Sequence, residues 1–256
     1  MNKFREKLAL GEPLVGTHVS TTDSSLVELM GIIGFDYIWI DMEHSCLDKK
    51  EVLNHIIAAQ GSGAAALVRI PWNDPVLAKP ILEMGPDAIV FPFIRSVREA
   101  EMAIASCFYP PKGIRGYGPS RASYLRRERS YLESYEEELF RILQIEHIDA
   151  VNCLEGIVKL EGLDALVVGP MDLSASVGKL GLLHDPEIVG IFEHIGNVAN
   201  AAGVPLGFSY DYEPELLDKV IQMGVKFASV RSEGGFILND GRHTLSETKK
   251  LFGLRP

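Results

Sequence analysis

Two carboxylates stand at the ends of short apolar runs. Glu146 closes the run 139–146 (Leu-Phe-Arg-Ile-Leu-Gln-Ile-Glu), and Asp172 follows Ala165–Val168 across a Gly169-Pro170 turn. An apolar, β-branched run stopped by Gly-Pro reads as a buried parallel strand, so both carboxylates fall at strand carboxyl ends, where α/β enzymes keep their chemistry. Two such oxygen donors suit a hard divalent cation such as Mg²⁺ or Mn²⁺, which is octahedral and leaves positions for water and substrate. The same residues could instead cap a helix or form ion pairs, Asp172 standing directly before Leu-Ser-Ala-Ser.

Other polar residues fall at the same ends: His18, Asp41, Glu43, His44, Arg69, Gln144, Ser209 and Arg231. His44 is a candidate proton-transfer group if a carboxylate holds its other nitrogen, and Glu83 is a candidate partner. A loop histidine can equally be a plain hydrogen-bonding residue. Arg69, leaving Leu67-Val68-Arg69, is poised to bind a carboxylate or neutralise an enolate, or to pair with a strand-end acid; the two roles are compatible. Arg115 and Arg121 lie in a loop rich in Gly, Pro and Arg, where they could close on an anionic substrate or pair with Glu133, Glu136, Glu137 and Glu138. No strand interior carries the lysine that a Schiff-base aldolase needs. Ser232-Glu233-Gly234-Gly235 reads as a turn, because Glu233 would repel a phosphate.

These residues need strands to present them. Apolar runs at 15–20, 37–41, 65–70, 88–93, 139–146, 165–168, 205–209 and 227–231 read as strands. Helices fit between them: Ser24–Ile33 after Asp23, 49–60 after Asp48, Pro75–Met84 with proline in its first turn, and 187–202 with apolar residues at helical spacing. Strands alternating with helices in this number predict an α/β protein of the (β/α)8 TIM-barrel type, a single domain over 1–256. The connections 94–138 and 171–186 are longer than packing requires, as loops serving a site are. A helix at 244–252 is too short and charged to cover a barrel face.

At 256 residues, 46% hydrophobic and 23% charged, the chain has the make-up of a soluble globular protein. A net charge of -10 opposes nucleic acid or an anionic membrane as partner. The charged start lacks a signal core and no run approaches the roughly 18 apolar residues of a membrane helix, so a cytoplasmic location is expected. Cys46, Cys107 and Cys153 form no CxxC pair, which argues against a disulfide framework or zinc knuckle.

In order along the chain, Asp41-Met42-Glu43-His44, Val68-Arg69-Ile70-Pro71, Tyr109-Pro110-Pro111-Lys112-Gly113-Ile114-Arg115-Gly116, Gln144-Ile145-Glu146 and Gly169-Pro170-Met171-Asp172-Leu173-Ser174 resemble the motifs of the HpcH/HpaI class II aldolases, which are metal-dependent and pyruvate-specific. The resemblance implies a TIM barrel in a homo-oligomer, commonly a hexamer or trimer of dimers, with a C-terminal helix exchanged between neighbours. It further implies that Glu146 and Asp172 hold a divalent ion (Mg²⁺, Mn²⁺ or Co²⁺) and that Gln144 and Arg69 contact pyruvate. His44 would act as acid/base with the acid at the Glu83 position, and the backbone of Gly169, Pro170, Met171 and Asp172 would receive the pyruvate carboxylate. Three positions depart from the family pattern: Glu83 stands for an aspartate, Pro86 for a small residue, and Arg231 lies where a smaller Gly/Asp-containing segment is usual. The expected reaction is reversible cleavage of a 4-hydroxy-2-oxo acid, a 2-dehydro-3-deoxy sugar acid or a 4-hydroxy-2-oxo diacid, to pyruvate and an aldehyde. The pyruvate methyl proton would leave to His44 or to water activated beside it, and Arg115, Arg121 and Arg231 would select the aldehyde's tail. The alternatives are a malyl- or citramalyl-coenzyme A lyase, for which no basic stretch offers a pyrophosphate site, and a silent barrel that binds a 2-oxo acid.

Overall fold

Alternation along each strand builds the molecule. In the computed structural model, which describes residues 2–125 and 130–255, eight parallel strands close into a barrel in chain order: β1 (Leu14–Val19), β2 (Tyr37–Asp41), β3 (Ala65–Arg69), β4 (Ala88–Phe91), β5 (Phe140–Ile145), β6 (Ala165–Val168), β7 (Leu206–Tyr210) and β8 (Val225–Ser232). Each strand is matched to an expected run, with ends moved by one or two residues. Successive side chains point to opposite faces. One set (Leu14, Tyr37, Trp39, Leu67, Val90, Phe140, Ile142, Val167 and Phe227) fills the barrel, while the other (Ile38, Ile40, Val68, Ile89, Leu143, Val168 and Phe208 among them) packs against the helices. Two glycines make the interior fit: a Cβ on Gly16 would lie 2.3 Å from the Tyr37 ring, and one on Gly207 would lie 2.2 Å from the Phe227 ring.

The helices α1 (Lys3–Ala9), α2 (Ser24–Ile33), α3 (Lys49–Ser62), α4 (Pro75–Met84), α5 (Val97–Ala105), α6 (Ser120–Tyr124), α7 (Tyr131–Glu138), α8 (Ile148–Asn152), α9 (Leu154–Ile157), α10 (Pro170–Ser176), α11 (Pro186–Ala202), α12 (Pro214–Gln222) and α13 (Glu233–Leu251) complete the fold. Asp23, Asp48 and Asp74 cap α2, α3 and α4 as their sequence positions require, Asp48 forming a capping box with Glu51.

Three features differ from the sequence reading. Helix α1 was not expected; Phe4 on it meets the rings of Tyr37, Phe140 and Phe227 and closes the amino-terminal mouth of the barrel. Ser232-Glu233-Gly234-Gly235 is not a free turn but the start of α13, with Glu233 buried and its Oε1 accepting hydrogen bonds from the Ser20 and Thr21 backbone N–H groups and the Ser20 hydroxyl. The expected terminal helix over 244–252 is the far part of this longer α13, whose Ile237, Leu238, Leu245 and Leu251 are exposed. Within the connection 94–138, residues 126–129 lie outside the described residues. Among the described residues no helix is long and apolar enough to cross a membrane.

Candidate active site at the carboxyl end of the barrel

The inward side of the strands continues past the packed core into polar residues. On β1 the inward row runs Leu14, Gly16, His18; on β2 Tyr37, Trp39, Asp41; on β3 Ala65, Leu67, Arg69; on β5 Phe140, Ile142, Gln144 and then Glu146; on β6 Ala165, Val167 and then Gly169. Period-2 geometry therefore delivers these side chains to one carboxyl-terminal mouth. A cavity of about 370 Å³ opens there, lined among others by His18, His44, Arg69, Gln144, Gly169, Asp172, Ser209 and Arg231.

Trp39 is buried beneath the mouth, with the His18 ring 5.0 Å and the Arg69 guanidinium 5.5 Å from its ring. Arg69 donates Nε and Nη2 to Asp41 at 2.9 and 2.6 Å, and its Nη1 lies 3.0 Å from Glu43 as an ion pair. Burial pulls the Asp41 carboxyl upward, but hydrogen bonds and charge from Arg69, with the Glu43 N–H, outweigh it and leave Asp41 below the usual carboxylate range. Glu43 goes the other way, raised chiefly by burial. Among the described residues the carboxylate facing the His44 imidazole is Glu43, 3.9 Å from Nε2, while the His44 side chain is 62% exposed.

Glu146 lies behind the cavity wall, almost fully buried. Phe93 donates its N–H to Oε1 at 2.7 Å, from a backbone in the left-handed region (φ 54°), and the Gln144 amide donates to Oε2. Burial first, then the charges of Glu43 and Asp172, push the Glu146 carboxyl up to about 8. Among the described residues the buried Gln144 Oε1 has no hydrogen-bond partner. A Cβ on Gly169 would stand 2.7 Å from both Gln144 Nε2 and Glu146 Oε2, so glycine is needed where β6 passes this pair. Clustered carboxylates, with Glu146 buried beside a Gln144 oxygen that has no partner among the described residues, are the donor set a hard divalent cation fits. Among the described residues no three His, Cys, Asp or Glu side chains form a ready cage, so such an ion would draw its remaining ligands from water or substrate.

The structure thus gathers His44, Arg69, Gln144, Glu146, Gly169, Pro170, Met171 and Asp172 around one mouth and leaves three expected residues elsewhere. Glu83 faces Gly118, where a Cβ would lie 3.2 Å from its Oε1, beside the α4–α6 packing. Arg121 donates to the Met84 carbonyl and the Gln60 side chain on the outer layer. Arg115 is buried over the Tyr109 ring at 4.8 Å, its Nε and Nη2 without hydrogen-bond partners among the described residues. Long helical connections, not strand parity, place these three. The sequence reading gave no role to Phe93, whose N–H serves Glu146, or to Tyr210, Asp211, Ser232 and Gly235, which line the cavity. Strand parity pointed only to Asp211; nothing in the pattern marked Phe93.

A family model described as HpcH/HpaI aldolase/citrate lyase matches residues 14–239, the barrel with the motifs that line this mouth. The chain belongs to the HpcH/HpaI aldolase/citrate lyase family. It is 33% identical over 250 residues, 97% of each chain, to the 5-keto-4-deoxy-D-glucarate aldolase of Escherichia coli strain K12. The crystal structure of an HpcH/HpaI aldolase from Desulfitobacterium hafniense superposes with a TM-score of 0.92 at 25% identity, covering 100% of both chains. A family member from Burkholderia cenocepacia gives 0.91 at 28% identity over 97% of this chain and 100% of its own. Membership in this family makes the chain a lyase of the aldolase type.

Proposed function

We propose that this HpcH/HpaI barrel, as one domain over 1–256, reversibly cleaves a 4-hydroxy-2-oxo acid, a 2-dehydro-3-deoxy sugar acid or a 4-hydroxy-2-oxo diacid, to pyruvate and an aldehyde. The observation that carries the reading is the buried Glu146 carboxyl, pushed up to about 8 beside Glu43, Asp172 and the unpartnered Gln144 oxygen, at the edge of a cavity that also holds His44 and Arg69. In this reading Glu146 and Asp172 hold a divalent cation such as Mg²⁺, Mn²⁺ or Co²⁺, which when bound supplies positive charge against the enolate oxygen. The backbone at Gly169–Asp172 receives the carboxylate of the pyruvate half, and Gln144 orients its keto group. His44, with Glu43 beside it, takes the proton of the C4 hydroxyl as the C3–C4 bond breaks, and the electron pair passes into the pyruvate enolate. The enolate is then protonated at C3 to give pyruvate. Arg69, locked by Asp41 and Glu43, adds a fixed positive charge facing the developing negative charge at no reorganisation cost. The exposed apolar face of α13 is consistent with a homo-oligomer, and a cytoplasmic location fits a metabolic lyase.

Pyruvate release from a panel of 4-hydroxy-2-oxo acids, coupled to lactate dehydrogenase, tests this. Activity should vanish with chelator and return with Mg²⁺, Mn²⁺ or Co²⁺. Activity indifferent to chelation would remove the Glu146/Asp172 cation, and absence of pyruvate from every acid would remove the aldolase reading.

A further inference from the structure

The cavity has two unlike walls. One carries the reacting groups from β2, β3, β5 and β6. The other, from β7, β8 and the start of α13, carries Ser209, Asp211, Arg231 and Gly235, none of which the chemistry above employs.

Arg231 is held there by unusual means. Between the pairs Gly16–Ser229 and His18–Ser232, β1 advances two residues while β8 advances three, so β8 bulges, and Arg231 within the bulge has a φ of 57°. A bulge re-aims a side chain, and a non-glycine residue in the left-handed region persists only where the surroundings enforce it. Here they do. The Arg231 carbonyl accepts from the Thr17 hydroxyl at 3.0 Å, Nε donates to Asp211 at 3.2 Å, and the guanidinium lies 5.7 Å from each of the Tyr212 and Phe236 rings. Gly235 leaves the channel for the arginine stem, since a Cβ on it would stand 2.6 Å from Arg231 Cγ. Gly235 stands in the first turn of α13, where its N–H donates to the capping Ser232 hydroxyl.

Charge then assigns the role. Arg69 spends Nε, Nη1 and Nη2 on Asp41 and Glu43. Arg231 is held through Nε alone, and among the described residues its two Nη groups donate no hydrogen bond to the protein. A fork fixed by one nitrogen with its outer pair unspent is the geometry that takes a carboxylate.

We propose that Arg231 is the specificity-determining residue for the aldehyde half of the substrate: its Nη groups bind a carboxylate carried beyond the scissile bond, Asp211 is the positioning residue that sets the fork, and Gly235 supplies the clearance. The inference rests on the aldolase reading above. In the synthetic direction, pyruvate is offered with 4-oxobutanoate or with butanal, acceptors of equal chain length differing in the carboxylate. The wild-type enzyme should favour 4-oxobutanoate, and R231Q should lower the ratio of the two kcat/KM values by about tenfold or more, mainly through KM of the acid, as loss of a charge-assisted pair demands. G235A, which keeps the charge but displaces the stem, should lower the ratio in the same direction. A parallel loss with both acceptors, leaving the ratio unchanged, would make Arg231 a structural clamp between β7 and α13 and overturn the proposal, as would a wild-type enzyme that prefers butanal or is indifferent. Deuterium exchange into the pyruvate methyl group by the metal-loaded wild type, which needs no acceptor, separates the two levels. Exchange with an unchanged ratio sinks this inference alone, whereas absence of exchange sinks the aldolase reading and this inference with it.

Discussion

His18 is a base kept from its proton. Burial above all, then the Arg69 charge, pull its pKa from 6.5 down to about 4, against a smaller opposing pull from Asp41. It therefore faces the cavity as a neutral ring, 3.0 Å from the Ser209 hydroxyl. The sign for stability follows: between these two values the unfolded chain takes up a proton that the folded chain refuses, so stability is full above pH 6.5 and falls as pH drops toward 4. The loss reaches at most about 3 kcal/mol, at 1.36 kcal/mol per unit, and the part of the ring open to the cavity reduces it. Urea titrations of the wild type and of His18→Gln at pH 7.5, 5.5 and 4.5 should show the variant losing less stability on acidification; equal slopes would show that His18 is not charged on unfolding in this range. At this scale the sequence placed His44, Arg69, Glu146 and Asp172 at or just past strand ends, and the structure brings them to one mouth. The pairing of Arg69 with a strand-end acid was among the sequence expectations, and Asp41, the last inward residue of β2, fits it; that Glu43 joins was not readable, because Met42-Glu43-His44 turns off the strand and a turn's side-chain directions come from its dihedrals and not from period 2.

Strands were the most legible elements, because a parallel barrel strand is buried on both faces and shows as a bounded apolar run. The polar site shared that legibility, being the last inward residue of each such run. Helix α1 was hidden by its charged exposed side around the lone plug Phe4, and Arg115 and Arg121 sit away from the mouth because part of the glycine-rich loop in sequence becomes α6 in space. The passage from β6 into α10 offers a prediction proper to this scale. Gly169 has an ordinary negative φ of -99°, so alanine there is not strained by its backbone; its Cβ alone intrudes, at 2.7 Å from Gln144 and Glu146. Gly169→Ala should therefore leave secondary structure and cooperative unfolding close to wild type while lowering kcat/KM for pyruvate-forming cleavage by about 100-fold, as small displacements of reacting groups do. A fall in melting temperature without loss of activity would show that the pair moves aside freely and that its present geometry is not required.

Across the whole molecule the barrel satisfies its own inner face but not that of its last helix. Glu233 anchors the first turn of α13 to the loop after β1, and Phe236 packs on the core; beyond that point Leu238, Leu245 and Phe252 follow at intervals of seven residues, all exposed. Residues seven apart lie on one side of a helix, so these three form a stripe of roughly 20 Å at 1.5 Å per residue. Exposed apolar residues scattered singly are ordinary, but Leu238 and Leu245 aligned on one side of an exposed helix, with Phe252 just past its end, are what an association surface looks like. We predict that a second copy of this chain covers these residues by packing its own surface against α13. Leu238→Glu combined with Leu245→Glu places two charges in the stripe at positions exposed in the single chain, so the barrel itself should keep its far-UV spectrum and unfold cooperatively. Sedimentation velocity at micromolar concentration should then show the wild type above the 28.2 kDa of one chain and the double variant shifted toward it. A wild type that sediments as a monomer would refute the association, and an assembly unmoved by both charges would place the contact on another face of the barrel.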